Sequence, residues 1–436
     1  MPALRSRLPC PHRGVARCGP GARACALAPI AAGLAATLAL TGCARSGPLG
    51  WRPAAAAHYL DVRTQQWLDW SNTARGSGTQ CVSCHTTLPY ALSRDGLARL
   101  TGDAVMPPPQ RRLLASVRTR VRLGARLPPY YGGPSTAASR GTEAVLNALI
   151  LAEHDARGEH AGVGAAAGTL ISAPTRAALA RMWALQRTGG ADAGSWAWLQ
   201  FHNEPWEGPD SAYYGATLAA LAAGALPAAY RQRPQAAAGL ARLRGYLLRE
   251  YSRQPLLNRI DLLWAANALP GLIGASQRAA IIAAIWREQR ADGGWNTASL
   301  MPGWQRRDGT AQRTDSDGYA TGLASLVLQQ AGVALPDPRL QRALHWLEHH
   351  QGFWTGRWSA ASLNRHHGLR EGTIRRFMDD SATAFAVMAL VRARGAPPAT
   401  PQQAAAHTPH WTGGAVCATV AAARPRLQPT TRMPPC

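Results

Sequence analysis

The chain has 436 residues, 46% of them hydrophobic, and a formal charge of +23 from 47 basic and 24 acidic side chains. This apolar content excludes a chain disordered throughout and suffices for a large core, while no apolar run reaches the ~18 residues a spanning helix needs. All the basic residues are Arg, scattered rather than clustered among aromatics, so the charge reads as compositional drift with no nucleic-acid partner expected.

Residues 1–42 contain Arg5, Arg7, Arg13, Arg17 and Arg23 and no acid. A mostly Ala/Leu run, Ala26–Leu40, follows, and the segment ends Leu40-Thr41-Gly42-Cys43. Basic, apolar and small-residue stretches in this order read as a secretory signal. The Leu-x-Gly-Cys ending resembles a bacterial lipobox, which implies that Cys43 becomes the lipidated first residue; a plain signal with a Cys at that place is the competing reading. The expectation is an exported periplasmic or cell-envelope lipoprotein, held at the membrane by its lipid, with residues 43–56 as a linker. Export removes Cys10, Cys18 and Cys25 and lowers the charge from +23 by five arginines to +18. Besides Cys43, only Cys81, Cys84, Cys417 and Cys436 then remain, which is not a disulfide scaffold.

From residue 57 the pattern is helical. Some segments are amphipathic, such as the one after Asp337-Pro338, where Leu340, Leu344 and Leu347 share a face. Others, such as Ala144–Ala152, Thr217–Leu226, Ala320–Leu328 and Ala382–Val391, are small and apolar on nearly every side and must be buried all round. The two kinds alternate as candidate pairs: 57–72 with 86–99, 111–124 with 141–156, 175–187 with 211–225, 237–251 with 257–269, 277–290 with 317–331, and 338–351 with 380–393. Six such pairs predict an all-α fold with an outer ring around an inner one, a single large domain over 57–395. The Pro/Ala-rich stretch 396–436 reads as a disordered tail.

The links from outer to inner helices repeat a phrase. Gln289, Gly293 and Trp295 give Gln-x3-Gly-x-Trp; Gln351, Gly356 and Trp358 carry one extra residue; Gln186, Gly194 and Trp196 carry a longer insertion. Gln can bond backbone at a helix end, Gly permits the turn and Trp packs over the next segment. Packing between repeats competes with a cation-stabilising aromatic lining as the role of these Trp. The phrase resembles the QW motif of squalene–hopene and oxidosqualene cyclases, most specifically over 175–395. That resemblance implies the α/α toroid of the terpenoid cyclase and prenyltransferase superfamily, with Trp206, Tyr214, Trp295, Tyr319 and Trp358 shaping an apolar cavity.

Hopene-type cyclases protonate an alkene with an Asp-x-Asp-Asp acid. Here Asp315-Ser316-Asp317-Gly318 lacks the final Asp. Asp315 and Asp317 are candidate acids, with helix capping as the competing role. Asp379 and Asp380 are further candidates, again against capping and helix-dipole complementarity. A prenyltransferase-type zinc site would need Asp, Cys and His together, and no Cys precedes Cys417 in the second half. In a toroid all outer-to-inner links lie at one end, where the cavity mouth is expected.

Cys81-Val82-Ser83-Cys84-His85 matches the c-type haem attachment motif: two thiols bond the haem vinyl groups and the adjacent His is an axial ligand. A disulfide or dithiol pair and a zinc site compete; zinc requires a second ligand pair that is not nearby. Met106 stands in a Met-Pro pair but falls in an inner-to-outer link, so His366, His367 or Met378 is preferred as sixth ligand, with an open position or a solvated loop as alternatives. The expectation is an exported toroid with covalent haem c, served by the cytochrome c maturation machinery, in a redox or sensing role. A divergent terpenoid-cyclase-like enzyme or a haem-dependent oxidoreductase acting on an apolar small molecule, and a non-catalytic lipid-binding or scaffold module, are the alternatives.

Overall fold

The computed structural model describes residues 50–157, 171–368 and 371–395, all within one compact unit. The expected signal segment, Cys43, Cys417, Cys436 and the stretch expected as a tail from 396 lie outside the described residues.

The twelve expected helices are present: α1 (Pro53–Asp69), α2 (Thr87–Thr101), α3 (Pro108–Leu123), α4 (Thr136–Ala156), α5 (Ala173–Ala184) and α6 (Ser211–Gly224), then α8 (Pro234–Glu250), α9 (Leu256–Ala268), α10 (Ala275–Arg287), α11 (Gly318–Gln330), α12 (Pro338–His349) and α13 (Phe377–Gly395). A short extra helix, α7 (Ala228–Arg231), lies between α6 and α8. The fold of the described residues is all-α, without a named strand. Within the stretch 43–56 read as a linker, Pro53 opens α1 and Trp51 is buried against Trp358.

Local chemistry sets the boundaries. Proline occupies the first turn of α1, α3, α5, α8 and α12, where its missing N–H has no intrahelical partner to lose. Ser172, Asp317 and Asp337 cap α5, α11 and α12 through their side chains. The apolar helices α4, α6, α11 and α13 are buried on almost every side, as their composition requires.

The inner helices contact one another in the cyclic order α2, α4, α6, α9, α11, α13 and back to α2. Amphipathic helices pack outside them, α1 on α2, α5 on α4, α8 on α6, α10 on α9 and α12 on both α11 and α13. This closed order supports the α/α toroid reading.

The repeated phrase has one geometry in its three copies. Gln186, Gln289 and Gln351 each donate from Nε2 to the carbonyl of their own turn glycine, Gly194, Gly293 or Gly356, at 3.1, 2.9 and 2.8 Å. The same amide donates to the next outer segment, at Gly239, Arg339 and Arg52. Trp196, Trp295 and Trp358 are fully buried and donate from Nε1 to Met182, Ile285 and Leu347 at 2.7, 2.7 and 2.8 Å. Gly293 has φ +92°, and a Cβ there would lie 2.8 Å from the Arg342 backbone. Gly293→Ala therefore meets both left-handed strain and a collision, and Trp295→Ala leaves a large cavity. Thermal unfolding should show losses of about 2 kcal/mol or more for the first and ~3–5 kcal/mol for the second; equal stability of either variant with wild type would refute the stitching role.

Candidate functional site

The Cys81–His85 segment forms the turn that opens α2. Ser83 Oγ accepts from the amides of Thr86 and Thr87 at 3.2 and 3.1 Å, closing that turn. Trp67 Nε1 donates to the Cys81 carbonyl at 2.8 Å, and Ser381 Oγ on α13 donates to the His85 carbonyl at 2.9 Å. The segment is thus held from α1 and from the last inner helix. Cys81 and Cys84 are buried and free of a disulfide. Burial pushes the Cys81 thiol up to about 11 and raises Cys84 as well, the opposite of what a reactive dithiol needs.

His85 is buried among aromatics. Its ring stacks on Phe377 at 3.6 Å and lies 5.2 Å from Trp67 and 5.6 Å from Trp206. Burial, with the Arg63 charge, lowers its imidazole to about 3, so it is neutral at ordinary pH. Nδ1 lies 3.0 Å from Thr86 Oγ1, and that hydroxyl donates its one proton to Asp380 Oδ2 at 2.7 Å. Arg63 binds Asp380 at both oxygens, at 2.7 and 2.9 Å, and Tyr59 donates to it at 2.8 Å. Burial pushes the Asp380 carboxyl up, but the bidentate guanidinium holds it as the carboxylate. Thr86 can therefore only accept from His85, which puts the imidazole proton on Nδ1 and leaves a lone pair on Nε2. No hydrogen bond to Nε2 is made among the described residues. A neutral His with one nitrogen oriented through a carboxylate relay is the arrangement that ligates a metal. Cys81, Cys84 and His85 are the residues that would hold a c-type haem, as its two attachment points and axial ligand.

The sixth-ligand candidates separate. Met378 is buried in the first turn of α13, next to Phe377, whose ring covers His85. His366 is exposed, its amide bonded to Asp308, and His367 is paired with Glu371. Met106 follows α2, whose 15 residues place it about 22 Å along the axis from the His85 end. Among the described residues no group of three or more His, Cys, Asp or Glu could hold a metal ion.

The four candidate acids are engaged in structure. Asp317 is the N-cap of α11: it accepts from the amides of Tyr319, Ala320 and Thr297 and from the Thr297 hydroxyl, at 2.6–3.0 Å. Asp315 is exposed and paired with Arg313 at 2.9 Å. Asp379 binds Arg357 and Arg376, and Asp380 binds Arg63.

The residues expected to shape a cavity, Trp206, Tyr214, Trp295, Tyr319 and Trp358, are all buried side chains. Trp295 and Trp358 are wedges between outer helices and links, as described above. Trp206, Tyr214 and Tyr319 are buried in a packed aromatic core in which Trp206, Tyr319, Phe385 and Trp264 follow one another at 5.9, 5.3 and 5.5 Å. A cavity of about 1220 Å³ lies at the opposite end from the expected mouth. Leu92, Trp264, Leu326 and Val391 line it, with Arg99 and Arg392 at its edge.

Three further acids have carboxyls raised by burial, and of these sequence reasoning did not single out Asp261. Asp261, in the middle of α9, is 2% exposed; its Oδ1 has no partner, and burial pushes its carboxyl well up. A lone carboxylate in the otherwise apolar stretch Ile260–Trp264 was the available signal. Glu207 is pushed up to about 7 by burial, and its charge acts on both Cys81 and Cys84. Glu204 is likewise raised to about 7 by burial and by Asp210, and lies against Gly208, where any side chain would collide with it.

No family model matches the chain, and no curated protein matches it significantly.

The Glu204 shift makes a pH prediction. A carboxyl raised in the folded state favours folding while protonated, so its contribution is present below about 4.5 and lost as pH rises through about 7. Between pH 5 and 8 wild type should lose up to ~3 kcal/mol more than Glu204→Gln, measured by denaturant unfolding; parallel pH profiles would contradict the assignment.

Proposed function

We propose that this protein is an exported, lipid-anchored helical toroid that carries a covalent c-type haem on Cys81 and Cys84 and serves in electron transfer or redox sensing. The observation that carries the reading is the Asp380–Thr86–His85 relay, which leaves Nε2 of a buried neutral imidazole as a lone pair beside two free thiols. The haem, when bound, supplies one-electron chemistry at its iron. His85 would ligate that iron, Thr86 and Asp380 orient the imidazole, and Trp67, Trp206 and Phe377 exclude water around it. Buried thiols with raised pKa values disfavour a dithiol enzyme, and among the described residues no group of three or more His, Cys, Asp or Glu is placed to hold a zinc ion.

The test is the absorption spectrum of protein exported together with haem-attachment machinery. Wild type should show a c-type spectrum. Thr86→Val should retain the colour and shift the reduction potential, since the imidazole loses its relay while both attachment thiols remain. Colourless wild-type protein would refute the proposal.

One observation favours a second reading, a terpenoid-cyclase-like enzyme acting on an apolar isoprenoid. Asp261 is a buried carboxyl pushed toward its neutral acid form, and its charge acts on Tyr214 and Tyr319. In that reading Asp261, rather than Asp317, supplies the proton. Squalene turnover abolished in Asp261→Asn at unchanged melting temperature supports it; absence of turnover in wild type removes it.

A further inference from the structure

Large apolar side chains on the surface of a folded domain cost free energy unless something covers them. Six such side chains are exposed among the described residues, and the four aromatic ones share a location. Tyr131 lies in the link from α3 to α4, Phe201 in the link from α5 to α6, and Phe353 and Trp354 in the link from α12 to α13. All three are outer-to-inner links, whereas the most exposed aliphatic, Val105, lies in an inner-to-outer one.

The outer-to-inner links form one connected layer. Phe201 packs on Tyr131 at 4.7 Å. Asn364 exchanges hydrogen bonds with the Glu204 backbone at 3.0 and 2.9 Å. Arg307 N–H donates to the Asn364 carbonyl at 2.9 Å, and Leu257 N–H to the Leu300 carbonyl at 3.0 Å. The exposed aromatics therefore belong to one end of the ring.

They come as two edge-to-face pairs, each with a guanidinium over one ring. Tyr131 and Phe201 lie at 4.7 Å with Arg75 5.1 Å from the Tyr131 ring centre. Phe353 and Trp354 lie at 4.8 Å with Arg52 4.5 Å from the Phe353 ring centre. Trp354 is 92% exposed and no buried contact explains it. Aromatic side chains beside arginines are stable where apolar chains meet charged head groups.

The start of the folded chain is at the same place. Arg52 N–H donates to Gln351 Oε1, and Gln351 Nε2 donates back to the Arg52 carbonyl at 3.1 Å. Trp51 follows Cys43 by only eight positions, a span of at most ~28 Å when fully extended.

We infer that the outer-to-inner link layer docks on an anionic lipid bilayer, with Phe353–Trp354 and Tyr131–Phe201 entering the head-group interface and Arg52 and Arg75 meeting its phosphates. The tether argument rests on the lipid-anchor reading above; the aromatic and charge arguments do not. The surface then fixes which end of the ring faces the membrane, and the 1220 Å³ cavity at the other end faces away from it.

The experiment uses the full chain with Cys43→Ser, which cannot be lipidated, and vesicles of phosphatidylethanolamine and phosphatidylglycerol. Cosedimentation should show binding that weakens with salt and with removal of phosphatidylglycerol. Phe353→Ser/Trp354→Ser, at exposed positions where folding is checked by circular dichroism, should reduce it at least tenfold. In the lipidated protein on vesicles containing brominated lipid, the emission difference between wild type and Trp354→Phe should be quenched. Failure of the Cys43→Ser chain to bind, or an unquenched Trp354, overturns the inference. Intact mass of the exported wild type tests the anchor separately: an unlipidated Cys43 with retained vesicle binding refutes the tether and leaves the docking surface standing.

Discussion

The buried ion pair between Arg63 and Asp380 is the interaction on which the rest of the structure depends. It joins the first outer helix to the last inner helix, and so closes the ring between the two ends of the folded chain. Asp380 also receives the Tyr59 and Thr86 hydroxyls, so one carboxylate serves both closure and the orientation of His85. Breaking such a pair leaves an uncompensated buried charge, at a cost of ~3–5 kcal/mol. The interaction explains why a carboxylate stands at the start of α13 without invoking proton donation: its oxygens are already committed to a cation and two hydroxyls.

The two kinds of helix were legible in the sequence because burial dictates composition, whereas their partners in space were not: α5, α8 and α10 pack on the preceding inner helix rather than the following one. A helix surrounded by neighbours must be small and apolar all round, and one that faces water must be striped, so α4 and α12 announce themselves differently. The repeated Gln, Gly and Trp were legible for a similar reason, since each serves a local backbone need that recurs at every turn. Side-chain destinations were not. Asp317 reads as acid or cap in the sequence, and the structure shows Thr297 donating to it from another part of the link. Asp261 and the Thr86 relay depend on neighbours distant in sequence, which spacing cannot reveal. Trp206, Tyr214 and Tyr319, taken from the resemblance as cavity residues, are buried in an aromatic core, a packing that spacing does not reveal.

The two ends of the ring thereby acquire different characters. The outer-to-inner links gather the Cys81–His85 turn, the raised carboxyls of Glu204 and Glu207 and the exposed aromatics. The opposite end opens into the large cavity between the C-terminal turns of α2, α11 and α13. The aromatic core between them, from His85 through Trp206, Tyr319 and Phe385 to Trp264, is continuous in van der Waals contact terms, with ring centres 5.3–5.9 Å apart.

The most direct test of the central claim is the intact mass of the denatured, exported protein. The account predicts one haem retained through denaturation in wild type and none in Cys81→Ala/Cys84→Ala. Wild-type protein made with haem-attachment machinery that carries no covalent haem would contradict it.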